Sequence, residues 1–129
     1  MEAGKTSGRS SAVHIFSIPV KLPGLNDYTE ACRKNRYAGN LMKKNAQATI
    51  SWFMHQLPEI QRPVRIRILW QEAEHRRDPD NVAFGVKFIL DELVRLHKIP
   101  NDSSRWIKAI YHDFTYGTEY KITIYMEEA

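Results

Sequence analysis

Between Val64 and Trp70 the chain alternates without a slip. Val64, Ile66, Ile68 and Trp70 fall on one side, Arg65 and Arg67 on the other. A period of two with one apolar side predicts a half-buried strand. Trp106 to Phe114 alternates as well and places Ile107, Ala109 and Tyr111 together. Tyr120 to Met126 does the same with Tyr120, Ile122, Ile124 and Met126. Tyr116-Gly117-Thr118 between these two runs predicts a hairpin-like turn. Near the start, His14-Ile15-Phe16-Ser17-Ile18 predicts a first strand, bracketed by Pro19 and Pro23 and suited to a sheet edge.

Two stretches change period. Tyr28 to about Leu57 holds no proline and one glycine, and predicts a long helix that Gly39 divides. Asn26 or Asp27 would cap it. Val82, Val86, Ile89, Leu90, Leu93 and Leu96 make one apolar side of a second helix, Pro79 to about His97. Pro79 suits the first helical position, which makes Asp78 the N-cap and puts Asp80 in the first turn. The expected order is β-α-β-α-β-β, an α/β (α+β) fold with helices packed on one face of a mixed sheet.

Composition narrows the class. With 129 residues, 43% hydrophobic and 26% charged, the chain suits one domain with a real core. The excess of 19 Lys+Arg over 15 Asp+Glu leans towards a polyanionic partner. Cys32 is alone, which excludes an internal disulfide and fits a reducing cytoplasm. No apolar run approaches the roughly 20 residues of a membrane helix, so no membrane partner is expected. Residues 1–12 are small and polar and are expected to form a disordered leader ahead of a domain spanning 13–129.

Candidate chemistry concentrates in Arg76-Arg77-Asp78-Pro79-Asp80-Asn81. Two carboxylates this close favour a hard divalent cation such as Mg²⁺ or Mn²⁺. The plainer reading is an ordinary helix start, and on the pair alone it is favoured. Asp102, on the loop after the helix, tips the balance if it returns to the pair. A calcium-loop reading fails, because Phe84 stands where that pattern needs glycine and Ile89 where it needs glutamate. Arg76 and Arg77 would hold phosphates. The basic run Arg33, Lys34, Arg36, Lys43 and Lys44 reads equally as a phosphate-backbone surface or a solvated helix face. The five histidines show no metal spacing, and His97 suits a helix-dipole partner.

RRDPDNVAFGVKFILDEL, the later IPND, the strand before them and LNDYTEACRKNRYAGNLMKK together resemble the RusA family of Holliday-junction resolvases. That resemblance implies a homodimeric, Mg²⁺-dependent endonuclease making paired cuts in four-way DNA junctions. It implies that Asp78, Asp80 and Asp102 are the essential acids and metal ligands, and that Lys87 is the catalytic lysine. The family's lysine lies one turn after the second acid. Here Phe84 holds that spacing and Lys87 comes seven residues after Asp80, close to two turns and so on the same face. Lys98 is the rival for this role. The expected chemistry is metal-assisted phosphodiester hydrolysis. The alternatives are a nuclease for flaps or forks, and an inert DNA-binding module whose acids only cap a helix. Apolar surface at Trp52 to Leu57 or on the terminal strands would supply a dimer contact.

Overall fold

A computed structural model describes residues 12–129; most of the polar leader expected at 1–12 lies outside this range. Four strands form one mixed sheet: β1 (Val13–Ile18), β2 (Val64–Glu72), β3 (Ile107–Tyr116) and β4 (Lys121–Glu128). Their spatial order is β1-β4-β2-β3. β4 runs antiparallel to both β1 and β2, whereas β3 lies parallel to β2 along one edge. Among the described residues the helical segments are α1 (Leu25–Lys34), α2 (Arg36–Met54), α3 (Pro79–Ala83) and α4 (Val86–Arg95). The expected fold class holds, with each expected helix divided in two.

The alternation of β2 translates directly into burial. Val64, Ile66, Ile68 and Trp70 are at most 2% exposed and face the helices, joined by Ile122, Ile124 and Met126 of β4. Ile50 and Met54 of α2 and Phe88, Ile89 and Leu93 of α4 close the core over them. Each such side chain contributes on the order of 1.5–3 kcal/mol by leaving water.

β3 departs from its expected facing. The β2–β3 register slips between Val64 and Arg65, so that Ile107 pairs with Val64 while Ala109 pairs with Arg65. A residue inserted this way reverses the side of everything beyond it. Ile107 therefore faces the core, whereas Ala109 and Tyr111 join the open face, and Ile110, His112, Phe114 and Tyr116 take the helix side. The Trp70 indole N–H donates to His112 Nδ1 at 2.9 Å, which places the imidazole proton on Nε2. Burial pushes the His112 pKa below its usual value, partly offset by the Asp113 carboxylate.

The helix boundaries also differ from expectation. α1 starts at Leu25 with Gly24 in the N-cap position, and Asp27 Oδ2 accepts from the Gly24 N–H at 3.0 Å. The long helix breaks at Asn35 rather than Gly39. Asn35 is extended, and its side chain accepts from the Ala38 N–H at 2.8 Å, capping α2. Gly39 instead permits close contact between the two helices, since a Cβ there would lie 2.6 Å from Cys32 Sγ. α3 and α4 are joined by a tight turn in which Gly85, Lys87 and Phe88 N–H groups reach carbonyls three residues back.

α4 ends on His97 in the left-handed region, with φ of 59°. Its N–H donates to Val94 O and the Lys98 N–H to Leu93 O, the hydrogen bonds of a Schellman motif. His97 is thus a strained C-terminal cap residue rather than simply a dipole partner.

Candidate functional site

The site forms at the end of β2. The alternation that buries Trp70 also turns Glu72 inward, and its side chain is 7% exposed. A buried carboxylate requires a partner. Arg77 supplies one: its Nε and Nη2 donate to the two Glu72 oxygens at 2.9 and 2.8 Å, and its Nη1 donates to Leu22 O at 2.8 Å. Arg77 is therefore spent on structure, which corrects its expected role as a phosphate ligand. Arg76 beside it is 80% exposed, 3.9 Å from Glu74, and keeps that role open.

This clamp fixes where Asp78 and Asp80 emerge. Asp78 occupies the N-cap of α3 with an extended backbone, yet its side chain makes no capping hydrogen bond. Pro79 and Asp80 follow in the first turn, and both acids are exposed. Asn81 ties the segment to a second element. Its Oδ1 accepts from the Asn26 N–H at 2.9 Å, capping α1 from outside that helix. A Cβ at Gly24 would collide with this amide, so glycine is required there by close approach. On the other side, the His75 ring stacks on Tyr116 at 3.6 Å between centroids, drawing the segment over the end of β3.

Asp102 does not join this group. β3 is parallel to β2 and starts beside Val64, so α3 and α4 carry the chain back to the opposite end of the sheet before β3 begins. Backbone bonds from Ile60 to Lys98 O and from Val64 to Trp106 O fix residues 98–106 at that far end. The nine residues of β2 span about 26 Å at ~3.3 Å per step. The expected convergence of Asp78, Asp80 and Asp102 thus fails within one chain. Among the described residues no group of three or more His, Cys, Asp or Glu could hold a metal ion. Asp78 and Asp80 offer the hard oxygen donors that Mg²⁺ or Mn²⁺ takes, but the single chain does not complete the expected set.

The lysines are also placed by their partners. Lys87 Nζ lies 3.6 Å from Asp91 Oδ2, one turn beyond it on α4, so its ammonium is drawn away from Asp80. Lys43 of α2 meets the same carboxylate at 3.2 Å. Lys87 and Lys43 therefore share a helix-to-helix ion cluster. Lys98 Nζ donates to His55 O at 3.0 Å, at the Asp102 end of the sheet. Arg33, Lys34 and Arg36 are exposed around the α1–α2 junction, and Lys44 is exposed further along α2. The start of α1 is tied to Asn81 through Asn26, so this basic corner lies about 15 Å from the acids, the length of a ten-residue helix at 1.5 Å per residue.

Sequence reasoning passes over Glu72, Asn81 and Asp91. The signal for Glu72 is its parity with Trp70 on β2, which predicts a buried acid. For Asn81 and Asp91 the signal is purely tertiary.

No family model matches this chain, and no curated protein matches it either. No helix among the described residues is long and apolar enough to cross a membrane.

Proposed function

We propose that the chain is a structure-specific endodeoxyribonuclease acting on branched DNA, with a four-way junction as substrate and a homodimer as the working form. The observation that carries this reading is the presentation of Asp78 and Asp80. Both carboxylates are exposed, and Asp78 is unused as a cap at a position where capping is its usual role. The Arg77–Glu72 clamp and the Asn81 tether hold their backbone, as a reacting group requires. Arg76 projects beside them to take a flanking phosphate. The excess of basic residues, with Arg33, Lys34, Arg36 and Lys44 exposed, supports a phosphate-rich partner. The motif's resemblance to RusA resolvases supplies the substrate class, with Mg²⁺ as cofactor.

The second reading is a DNA-binding module without catalysis. It is favoured by the distance between Asp102 and the other two acids. One experiment separates the readings: incubate the protein with junction, flap and linear DNA, with and without Mg²⁺, beside Asp80→Asn. The nuclease reading expects Mg²⁺-dependent cuts in the junction, lost in Asp80→Asn while binding persists. Flap cleavage with an intact junction would move the substrate to other branched DNA. Binding without cleavage in either metal condition supports the inert module.

A further inference from the structure

The alternation that builds the core also builds the opposite face of the sheet. The helices pack on the side of Ile66, Ile68, Ile124 and Met126. The residues between these point the other way, where no helix among the described residues covers them. A solvated sheet face is ordinarily polar. This one exposes Ile15 at 60% and Tyr111 at 48%. A hollow of about 690 Å³ lies on it, and Arg65, Arg67, Leu69, Tyr111, Asp113 and Tyr125 help to line it.

The pairing registers set four residues in one row across the sheet. Ile15 pairs with Tyr125, Tyr125 with Arg67, and Arg67 with Tyr111. A guanidinium therefore lies between two phenol rings that stand two strand spacings apart, about 9.6 Å at ~4.8 Å per spacing. The Arg67 guanidinium carbon is 5.3 Å from the Tyr111 ring centroid, within cation–π range. Arg67 Nε lies 3.5 Å from Asp113 Oδ2, and both side chains are well exposed. An exposed pair of this kind adds little stability. It engages Arg67 through Nε and keeps the terminal nitrogens for another acceptor. Arg65, on the same side of the same strand, is exposed too.

We infer that this face is a second nucleic-acid site, apart from the acids, on which a single strand of DNA lays unpaired bases against Tyr111 and Tyr125 and phosphates against Arg65 and Arg67. The choice of DNA over RNA rests on the nuclease reading above; the platform itself does not. Aromatic rings on a flat surface recognise the faces of bases. A duplex hides those faces in its own stack, whereas a single strand presents them. Four-stranded sheets that carry two or three aromatics on an open face bind single-stranded RNA by this device. A flat face also lacks the helix or ribbon that enters a duplex groove. Arginine beside the rings adds a cation–π contact to a base and a donor fork to a phosphate. A second copy of the chain is the poorer occupant. Interface centres are depleted of charge, whereas Arg65, Arg67, Asp113 and Glu127 all line this hollow. The row lies about 16 Å from the end of β2, five steps at ~3.3 Å, so a strand bound here stays clear of Asp78 and Asp80.

Fluorescence anisotropy of a labelled oligo-dT of about 12 nucleotides reads this site in the full chain, with EDTA present so that nothing is cut. The wild type should bind. Tyr111→Ala and Tyr125→Ala should each weaken binding by about tenfold. Tyr111→Phe should bind as the wild type does, since the ring stacks and the hydroxyl does not. Arg65→Ala should reduce the slope of log affinity on log salt by about 0.7. Unfolding midpoints and sedimentation masses should stay those of the wild type. A wild type that does not bind, or two tyrosine variants that bind normally, overturns the site. A loss confined to Arg36→Ala and Lys44→Ala places the strand on α2 and overturns it as well. Tyrosine variants that sediment at a lower mass than the wild type make a second copy the occupant and overturn the proposal. Oligo-rU bound more tightly than oligo-dT overturns DNA as the ligand. A wild type that binds oligo-dT yet cuts no branched DNA in Mg²⁺ removes the nuclease reading and supports this site on its own.

Discussion

The two ends of the sheet carry the same residue type in opposite settings. At the C-terminal end of β2, Asp78 and Asp80 sit on backbone held by a buried ion pair, an amide tether to α1 and a ring stack on β3. At the other end, Asp102 lies on an exposed turn in which Asn101 Oδ1 accepts from the Ser103 N–H at 3.1 Å. One end is fastened to three elements, whereas the other is organised by its own neighbours. Acidic residues alone therefore do not mark a site. What separates the ends is the structure committed to aiming the carboxylates.

The sharpest way to break this comparison is to remove the clamp. Arg77→Ala leaves Glu72 charged, buried and unpartnered, and should cost about 3–5 kcal/mol in urea unfolding. Asp102→Ala at the opposite end should change stability by no more than about 0.5 kcal/mol. Equal losses at the two sites would erase the distinction.

Asn81→Ala tests the tether at smaller amplitude. It removes the cap of α1, and about 1 kcal/mol should be lost in the same unfolding measurement. Amide exchange at Asn26 should quicken while exchange in β4 stays slow.

These contrasts show how far the sequence carries. The strands were legible because alternation over Val64–Trp70 and over residues 120–126 is a local property, and local patterning dictates which face is buried. The division of the long helix was misplaced, because Asn35 acts as a cap inside a stretch of good helix formers, and glycine is the more conspicuous breaker. The facing of Tyr111 was reversed by a register slip that no pattern announces. The return of Asp102 to Asp78 and Asp80 is a tertiary matter that the spacing along the chain does not carry. β3 lies beside β2, but a parallel neighbour reached through a helix starts at the far end, and its preceding loop with it.

The far end offers a test with the opposite sign. His97 adopts φ of 59°, a conformation in which a side chain is strained, so His97→Gly should raise stability by about 0.5–1 kcal/mol by thermal unfolding. No change, or a loss, would mean the cap does not persist in solution.

Midway between the ends, His112 accepts a hydrogen bond from Trp70 and titrates below its usual value because it is buried. A lowered folded pKa makes the charged form less favourable in the native state. Stability is therefore full above the unfolded value of about 6.5 and declines as pH falls from there through the folded pKa. The melting temperature should fall across that window. His112→Gln should flatten this pH dependence.

The separation of the two ends within one chain is measurable directly. Spin labels are placed at Asp80→Cys and Asp102→Cys in a Cys32→Ser background, and the labelled chain is diluted with excess unlabelled protein so that only distances within one chain are read. Double electron–electron resonance should return a distance above about 20 Å, as the span of β2 requires. A distance below about 15 Å would bring the three acids together in a single chain and contradict the account.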